Sequence, residues 1–570
     1  MTKVVERKKR EFLKEDLDTS RWESFEPYFQ ELLSAEFTSA EDFKKWILKT
    51  QELYIAYRDG FAWSYINKSR NTNDPELETI FMRYITEVSP KFDEFSEKIE
   101  RKMVESPFAK ELPTDYNRFL KLTKTSLDLF RQENLEIEKI LGEKTSEFGK
   151  IIANQSVEFD GETKTLPQMS VYYQSYDRDI REKAWHLVQE RKLEDFETLN
   201  LLYSELLKLR HKLAQNAGFK NYRDYTFKAL NRDYTPEQCF EFHRSTEKLV
   251  HPFTERLKEH RAEVLGLEKL RPWDLSVDIY GKEPLKPFEN SDELVDKTIT
   301  IFNKLKSGLG DKIETMRAMG QLDLDSRLGK ETGGYNYGLY ETHVPFIFMN
   351  TVGVQRDVVV MLHEGGHAIH TFATKDHDLV AYKGHYSEVA ELASMSMELI
   401  TMDFWDEFYK NEDELKRAKR EQIEGTVGLL DRIMQVDAFQ HWVYENPEHT
   451  EDERIAKWME LEKRFNTSAF VDRSGLEHFL KTGWQFSHVF ERPFYYIEYA
   501  IAQLGALQVW RNYTQNPEKA VNDYLAALEL GGTVSTQEVY ERAGIKFDFS
   551  ADMIASLIDF AQSEWEKLNG

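Results

Sequence analysis

The segment VQRDVVVMLHEGGHAIHTFA, beginning at Val354, constrains this chain more than any other feature. Its apolar density predicts a buried helix, and on a helix His363 and His367, four residues apart, project from one face. Two imidazoles on a buried face need partners, and their adjacent nitrogens suit a single borderline-soft ion such as Zn2+. Glu364, one step around the same helix, is placed to reach a water on that ion. A catalytic zinc takes three protein ligands and keeps one position open, so a third ligand must come from elsewhere in the chain.

His370 is the nearest rival, but it lies seven residues from His363, a rise of about 10.5 Å on a straight helix. No glycine follows His367 where a three-histidine metalloprotease helix breaks, and position 373 is Ala rather than His. The next segment, HYSEVAELASMSMELITMDFW, reads as a helix capped by Ser387 with Glu388, Glu391 and Glu398 on roughly one face. Glutamates on the inner face of a partly apolar helix are costly unless paired or bound to metal, and Glu391 is our choice among them for the third ligand. Glu398 and Glu388 are then candidates to hold the N–H groups of the ligand histidines. His377 and His385 read as loop or surface residues.

HEGGHAIH followed by ELASMSME resembles the oligoendopeptidase F and thimet oligopeptidase family of zinc metallopeptidases, in particular the bacterial oligoendopeptidase F type. In that family HExGHxxH is followed by a glutamate ligand with Ser three and Glu seven residues beyond it, the spacing of Glu391, Ser394 and Glu398. The resemblance implies one Zn2+ per chain on His363, His367 and Glu391, with Glu364 as the base. Gly365 departs from the bulky residue of many relatives, at a helix cost of about 1 kcal/mol. LDLDSRLGKETGGY, PFIFMN and DAFQHWVYENP also look like this family, extending the resemblance over roughly residues 200 to 570.

Near the C-terminus, GWQFSHVFERPFYYIEYAIAQLGALQVW reads as a loop carrying His488 and a helix starting at Pro493, with Tyr495, Tyr496 and Tyr499. Tyrosines at helical spacing are ordinarily core. The family has a histidine and a tyrosine cluster here, which implies that His488 and Tyr499 serve the oxyanion and Tyr496 the substrate. Tyr495 is a further expected substrate contact. PFIFMN, by the same resemblance, is an edge strand on which an extended peptide lies, giving Phe346 and Phe348 as substrate contacts.

The implied fold is mainly α, an elongated two-lobed helical protein with a deep substrate channel and a small β-sheet beside the HExxH helix. Periodicity supports the helices from Ser20 to about Lys150, with a turn at Asn71–Asp74 and a restart at Pro75. Short β-like runs around Asp160-Gly161 mark a division into an N-terminal helical domain, 1–165, and a catalytic domain, 166–570. A net charge of -25 argues against nucleic acid as a partner, and no apolar stretch is long enough for a membrane span. The N-terminal sequence lacks a secretory h-region, and the one cysteine, Cys239, excludes an intramolecular disulfide and reads as a small buried residue. Together these predict a cytoplasmic protein.

The expected activity is zinc-dependent cleavage of internal peptide bonds in short unstructured oligopeptides. A dipeptide-releasing exopeptidase would use the same zinc site but needs a charged group to fix a chain end. A peptide-binding protein without activity would carry a broken motif, whereas Glu364 is intact. A structural zinc would have all four positions filled by side chains.

Overall fold

The structure is a computed structural model and describes residues 4–327, 329–331, 333–384 and 387–569. His385 lies outside the described residues. Helix follows helix from Trp22–Ser34 to Ala551–Asn569, with two small sheets between them. No helix among the described residues is long and apolar enough to cross a membrane.

Local chemistry fixes the punctuation. Asp74 accepts the backbone N–H groups of Glu76 and Leu77, and Pro75 takes the first helical position, where a missing N–H costs nothing. The strands β1, Ser156–Phe159, and β2, Glu162–Thr165, pair antiparallel around Asp160 and Gly161, both in the left-handed region at φ 54° and 81°. That is the turn a two-residue hairpin prefers. Helices resume at Arg178–Glu194 and continue to His251–Leu265, which stops at left-handed Gly266.

Two large apolar cores result, with three smaller clusters beside them among the described residues. One is formed by the N-terminal helices around Trp22, Phe25, Phe29, Trp46 and Phe92. The larger one surrounds the motif helix Gln355–Ala373 and its neighbours, with Val358, Leu362, Leu392, Met397, Leu504 and Leu507.

Between them lies a sheet of β3, Leu322–Asp325, β4, Tyr335–Tyr337, and β5, Phe346–Thr351, in the order β3-β5-β4. PFIFMN is therefore the central strand, parallel to β3 and antiparallel to β4, and not the expected edge. An unbroken apolar run is buried on both faces, which suits a central strand. Phe346 and Phe348 are fully buried against Ala62 and Ile66 of the helix Ala40–Arg70, so neither side chain is available to a substrate. The free edge nearest the motif helix belongs to β4.

The same N-terminal helix is tied to the loop before β4. Arg70 binds Asp323 at 2.6 Å, Arg327 and Lys330 share that carboxylate, and Lys68 pairs with Glu331. Burial pushes the Asp323 pKa up, but the three cations outweigh it and hold the group well below the usual carboxylate range. From β5 the chain turns through Gly353, φ 86°, directly into the motif helix. There the Asp357 carboxylate accepts the N–H groups of Val352, Gly353 and Val354 at 2.8, 2.8 and 3.0 Å. These bonds pair the backbone donors of the turn that leads into the helix.

Candidate active site

The motif helix Gln355–Ala373 packs against the glutamate helix Ser387–Ile400. Gly366 sets their separation: a Cβ there would stand 2.6 Å from Ala393 O and 2.7 Å from Ser394 Cα. Backbone contact at this point lets a side chain as short as glutamate reach the imidazoles. Gly365 has a separate cause, because a Cβ would meet the Phe302 ring at 2.6 Å. Phe302 fills the space that a bulky residue would need.

Glu391 Oε2 lies 3.4 Å from His363 Nε2 and 3.7 Å from His367 Nε2, and the three donor atoms are all within 4.8 Å of one another. Both histidine side chains keep 18% exposure whereas Glu391 keeps 3%, so the trio opens on the histidine side. His363 Nδ1 bonds Glu398 Oε1 at 2.7 Å, which commits that nitrogen and leaves Nε2, the one facing Glu391, as the nitrogen available to a metal. Glu398 is in turn held by Gln422 Nε2 at 2.8 Å, and His367 has the backbone of Ala390 as its partner. Ser394 Oγ and Tyr495 Oη donate to the two Glu391 oxygens at 2.9 and 2.6 Å. Burial raises the Glu391 pKa, yet the two imidazoles and these donors outweigh it and hold it at about 2.

Glu364 is 5% exposed, and its Oε2 has no hydrogen-bond partner among the described residues. Burial raises its pKa to about 7, the range in which a carboxylate can both take and return a proton. Beside it runs the β4 edge: Asn336 Nδ2 donates to Glu364 O at 3.2 Å, and a Cβ on Gly334 would stand 3.7 Å from Glu364 Oε1.

His488 lies in the single helical turn Ser487–Phe490 rather than in a loop, and its Nε2 is 3.1 Å from Tyr499 Oη. Burial and then Arg492 push the His488 pKa down to about 4, so the ring is neutral. The Tyr499 pKa is raised well above normal by burial, then by the charge of Glu391 and, more weakly, that of Glu364. Its hydroxyl is thus a protonated donor within electrostatic reach of the site.

The tyrosine helix begins at Tyr496, not Pro493, and runs to Gln515. The turn before it contains Phe494 at φ 66°, a conformation a continuous helix cannot include. This turn explains the roles of the neighbouring rings. Tyr495 faces Glu391 and commits its hydroxyl there, while Tyr496 packs on Phe486 and His488 with ring centroids at 5.4 and 5.2 Å.

Glu388 does not reach a ligand histidine. Its carboxyl sits near Arg232, Tyr234 and Glu498, one helical turn back from Glu391. Ser387 is the first residue of its helix rather than a cap. His377 is in the loop following the motif helix, with Nε2 2.9 Å from Glu529 O. Arg232, which sequence reasoning missed, bonds Phe494 O and, at 2.7 Å, Glu498 Oε1, with both side chains 1% exposed. Its partners lie over 260 residues away, and the local sequence signal is only a glutamate, Glu498, on the inner face of an apolar helix. Gln422 carries no signal of its own.

The three donor atoms, a thiol-free N,N,O set with a buried carboxylate and an unpartnered Glu364 oxygen beside it, fit a catalytic zinc. The sequence model "Peptidase family M3" matches residues 171–558 and "Peptidase M3 N-terminal domain" matches 12–130. Oligopeptidase PepF of Bacillus subtilis (strain 168) is 22% identical over 72% of this chain and 61% of its own length. Group B oligopeptidase PepB of Streptococcus agalactiae serotype III is 22% identical over 67% of this chain and 62% of its own. The chain thus spans about three fifths of these curated relatives. The solved structure of PZ peptidase A with inhibitor 2 superposes with TM-score 0.91 and 27% identity, covering 96% of this chain and 97% of that one. Oligoendopeptidase-F from Enterococcus faecium, at 16% identity and TM-score 0.65 over 96% and 98%, shares the fold.

Proposed function

The chain belongs to peptidase family M3, and on that footing we propose that it is a zinc-dependent oligoendopeptidase that cuts internal bonds of short unstructured peptides. The observation that carries this reading is the convergence of His363, His367 and Glu391 donor atoms beside a buried, unpartnered Glu364. His363, His367 and Glu391 would hold one Zn2+, which when bound would supply Lewis acidity to the water and the scissile carbonyl. Every other role falls to side chains. Glu364, with a pKa near 7, takes the proton of the attacking water and returns it to the leaving amine. Tyr499, steadied by neutral His488, donates a hydrogen bond to the developing oxyanion. Tyr495 instead fixes Glu391, and Glu398 fixes the His363 tautomer.

A peptide extended along the free edge of β4 would continue the sheet and pass Glu364, with main-chain pairing in place of side-chain pockets. Such pairing suits unstructured peptides and tolerates varied sequence. The single cysteine fits a reducing cytoplasm.

Glu364→Gln tests the central role. The variant should retain one zinc at this site and lose turnover by at least about 100-fold, as expected for removal of a general base. A variant that keeps its zinc and cleaves at the native rate refutes the assignment.

A further inference from the structure

A second cluster of ligating side chains lies outside the site above. The helix Pro236–Leu249 carries Cys239 and His243 one turn apart, and the long helix Glu412–Glu445 carries Asp437 and His441 one turn apart. The two helices pack together, and all four side chains are buried, at 1, 3, 0 and 1% exposure in that order. Cys239 Sγ, a carboxylate oxygen of Asp437 and a ring nitrogen of His441 lie within 4.8 Å of one another. A tetrahedral zinc with bonds of 2.0–2.3 Å spaces its ligands by about 3.3–3.8 Å, so side-chain shifts of about 1 Å would close the set.

The hydrogen bonding of the cluster is incomplete in a way that points to a cation. His243 Nε2 binds Asp437 Oδ2 at 2.7 Å, but Asp437 Oδ1 has no hydrogen-bond partner among the described residues. Neither ring nitrogen of His441 makes a hydrogen bond there either, although Nε2 stands 3.3 Å from Asp437 Oδ2. No lysine or arginine pairs with Asp437 among the described residues; its only ion-pair partners are the two imidazoles. Around His441 the walls are aromatic, with Phe240, Phe494 and Phe227 centroids at 4.8, 5.3 and 5.9 Å. A buried carboxylate oxygen with no hydrogen bond, beside a buried imidazole that meets that carboxylate only at 3.3 Å, is costly unless a cation joins them.

We propose that Cys239, Asp437 and His441 are three protein ligands that hold a zinc ion joining the Pro236–Leu249 helix to the long helix, with His243 orienting Asp437. Sulfur, nitrogen and oxygen donors together select a borderline-soft divalent transition ion. On binding, the sulfur–zinc bond forms as the Cys239 thiol proton leaves to solvent; burial keeps that thiol protonated otherwise. The site lies beneath the turn that launches the tyrosine helix, because Gln440, next to His441, accepts the Phe494 N–H at 3.0 Å and Phe494 packs on His441. The full chain would then hold two zinc ions.

Cys239 is the chain's single cysteine, so thiolate ligation has one possible source. Metal content and the absorption of cobalt-loaded full-length protein therefore test the proposal. The expected result is two metals per wild-type chain and one in His363→Ala/His367→Ala. A thiolate-to-cobalt charge-transfer band in the near ultraviolet should appear in both proteins and vanish in Cys239→Ser. One metal per wild-type chain, or two without the thiolate band, overturns it, and both readouts need only the wild-type protein should a variant fail to fold.

Discussion

Glu391 and Glu364 are glutamates of the same burial with opposite tuning, and the difference lies in their neighbours. Glu391 is ringed by two imidazoles and two hydroxyl donors and stays ionised as a ligand should; Glu364 has an unpartnered oxygen and its pKa rises to about 7. The tyrosines divide in the same manner. Removing the Tyr495 hydroxyl with Phe should weaken zinc affinity about 10- to 100-fold, since it supports a ligand rather than the reaction. Competition with a calibrated chelator measures this. Tyr499→Phe should keep zinc affinity and lower kcat by about 100- to 1,000-fold, the loss expected for an oxyanion donor. If Tyr495→Phe changes kcat alone, or Tyr499→Phe loses its metal, the two roles have been exchanged.

At the scale of elements, the site depends on how closely two helices meet and on one clamped turn. Gly366→Ala places a Cβ against backbone atoms of the glutamate helix, which cannot swing aside as a side chain would. Overpacking of this kind costs about 1–3 kcal/mol, and the variant should melt lower and bind zinc less well. Arg232→Met leaves the Glu498 carboxyl buried without its guanidinium partner, a loss of about 1–3 kcal/mol that urea unfolding would register. Native-like unfolding of the Arg232 variant would show that the clamp is dispensable. Much of this level was legible in the sequence, because i,i+4 spacing places His363 beside His367, and i,i+3 spacing places Glu391 beside Ser394, without any knowledge of the fold. The helix start at Tyr496 was not, since a left-handed Phe494 is stabilised by Arg232 and Gln440 from distant segments. The strand order was hidden for a similar reason: an apolar run such as PFIFMN shows that a strand is buried but not which neighbours it pairs with. Glu388 and Glu398 look equivalent along the helix, and only the position of Arg232 against Gln422 separates them.

For the whole molecule, family membership accounts for the mainly α fold, and the N-terminal helices share in the site through the sheet they brace. These helices also bury a carboxyl that holds its proton unusually high, as two glutamates elsewhere in the chain do. Asp59 accepts two backbone N–H groups at 2.8 Å, yet burial raises its pKa to about 7; Glu364 is raised to the same value and Glu498 is raised too. An unfolded chain releases these protons near pH 4, so between pH 4 and about 7 the folded chain holds more of them. Stability therefore falls as pH rises through that window. Metal-free protein should melt at a higher temperature at pH 6 than at pH 8, with a smaller difference in Asp59→Asn; a melting temperature that rises with pH contradicts this. The most direct test of the central claim is mass-spectrometric mapping of cleavage in a peptide library blocked at both ends, with and without a chelator. Internal cleavage of blocked, unstructured peptides that stops with chelation and returns with zinc is the predicted result. Blocked peptides left intact while free peptides lose terminal dipeptides, or cleavage that survives chelation, would contradict the account.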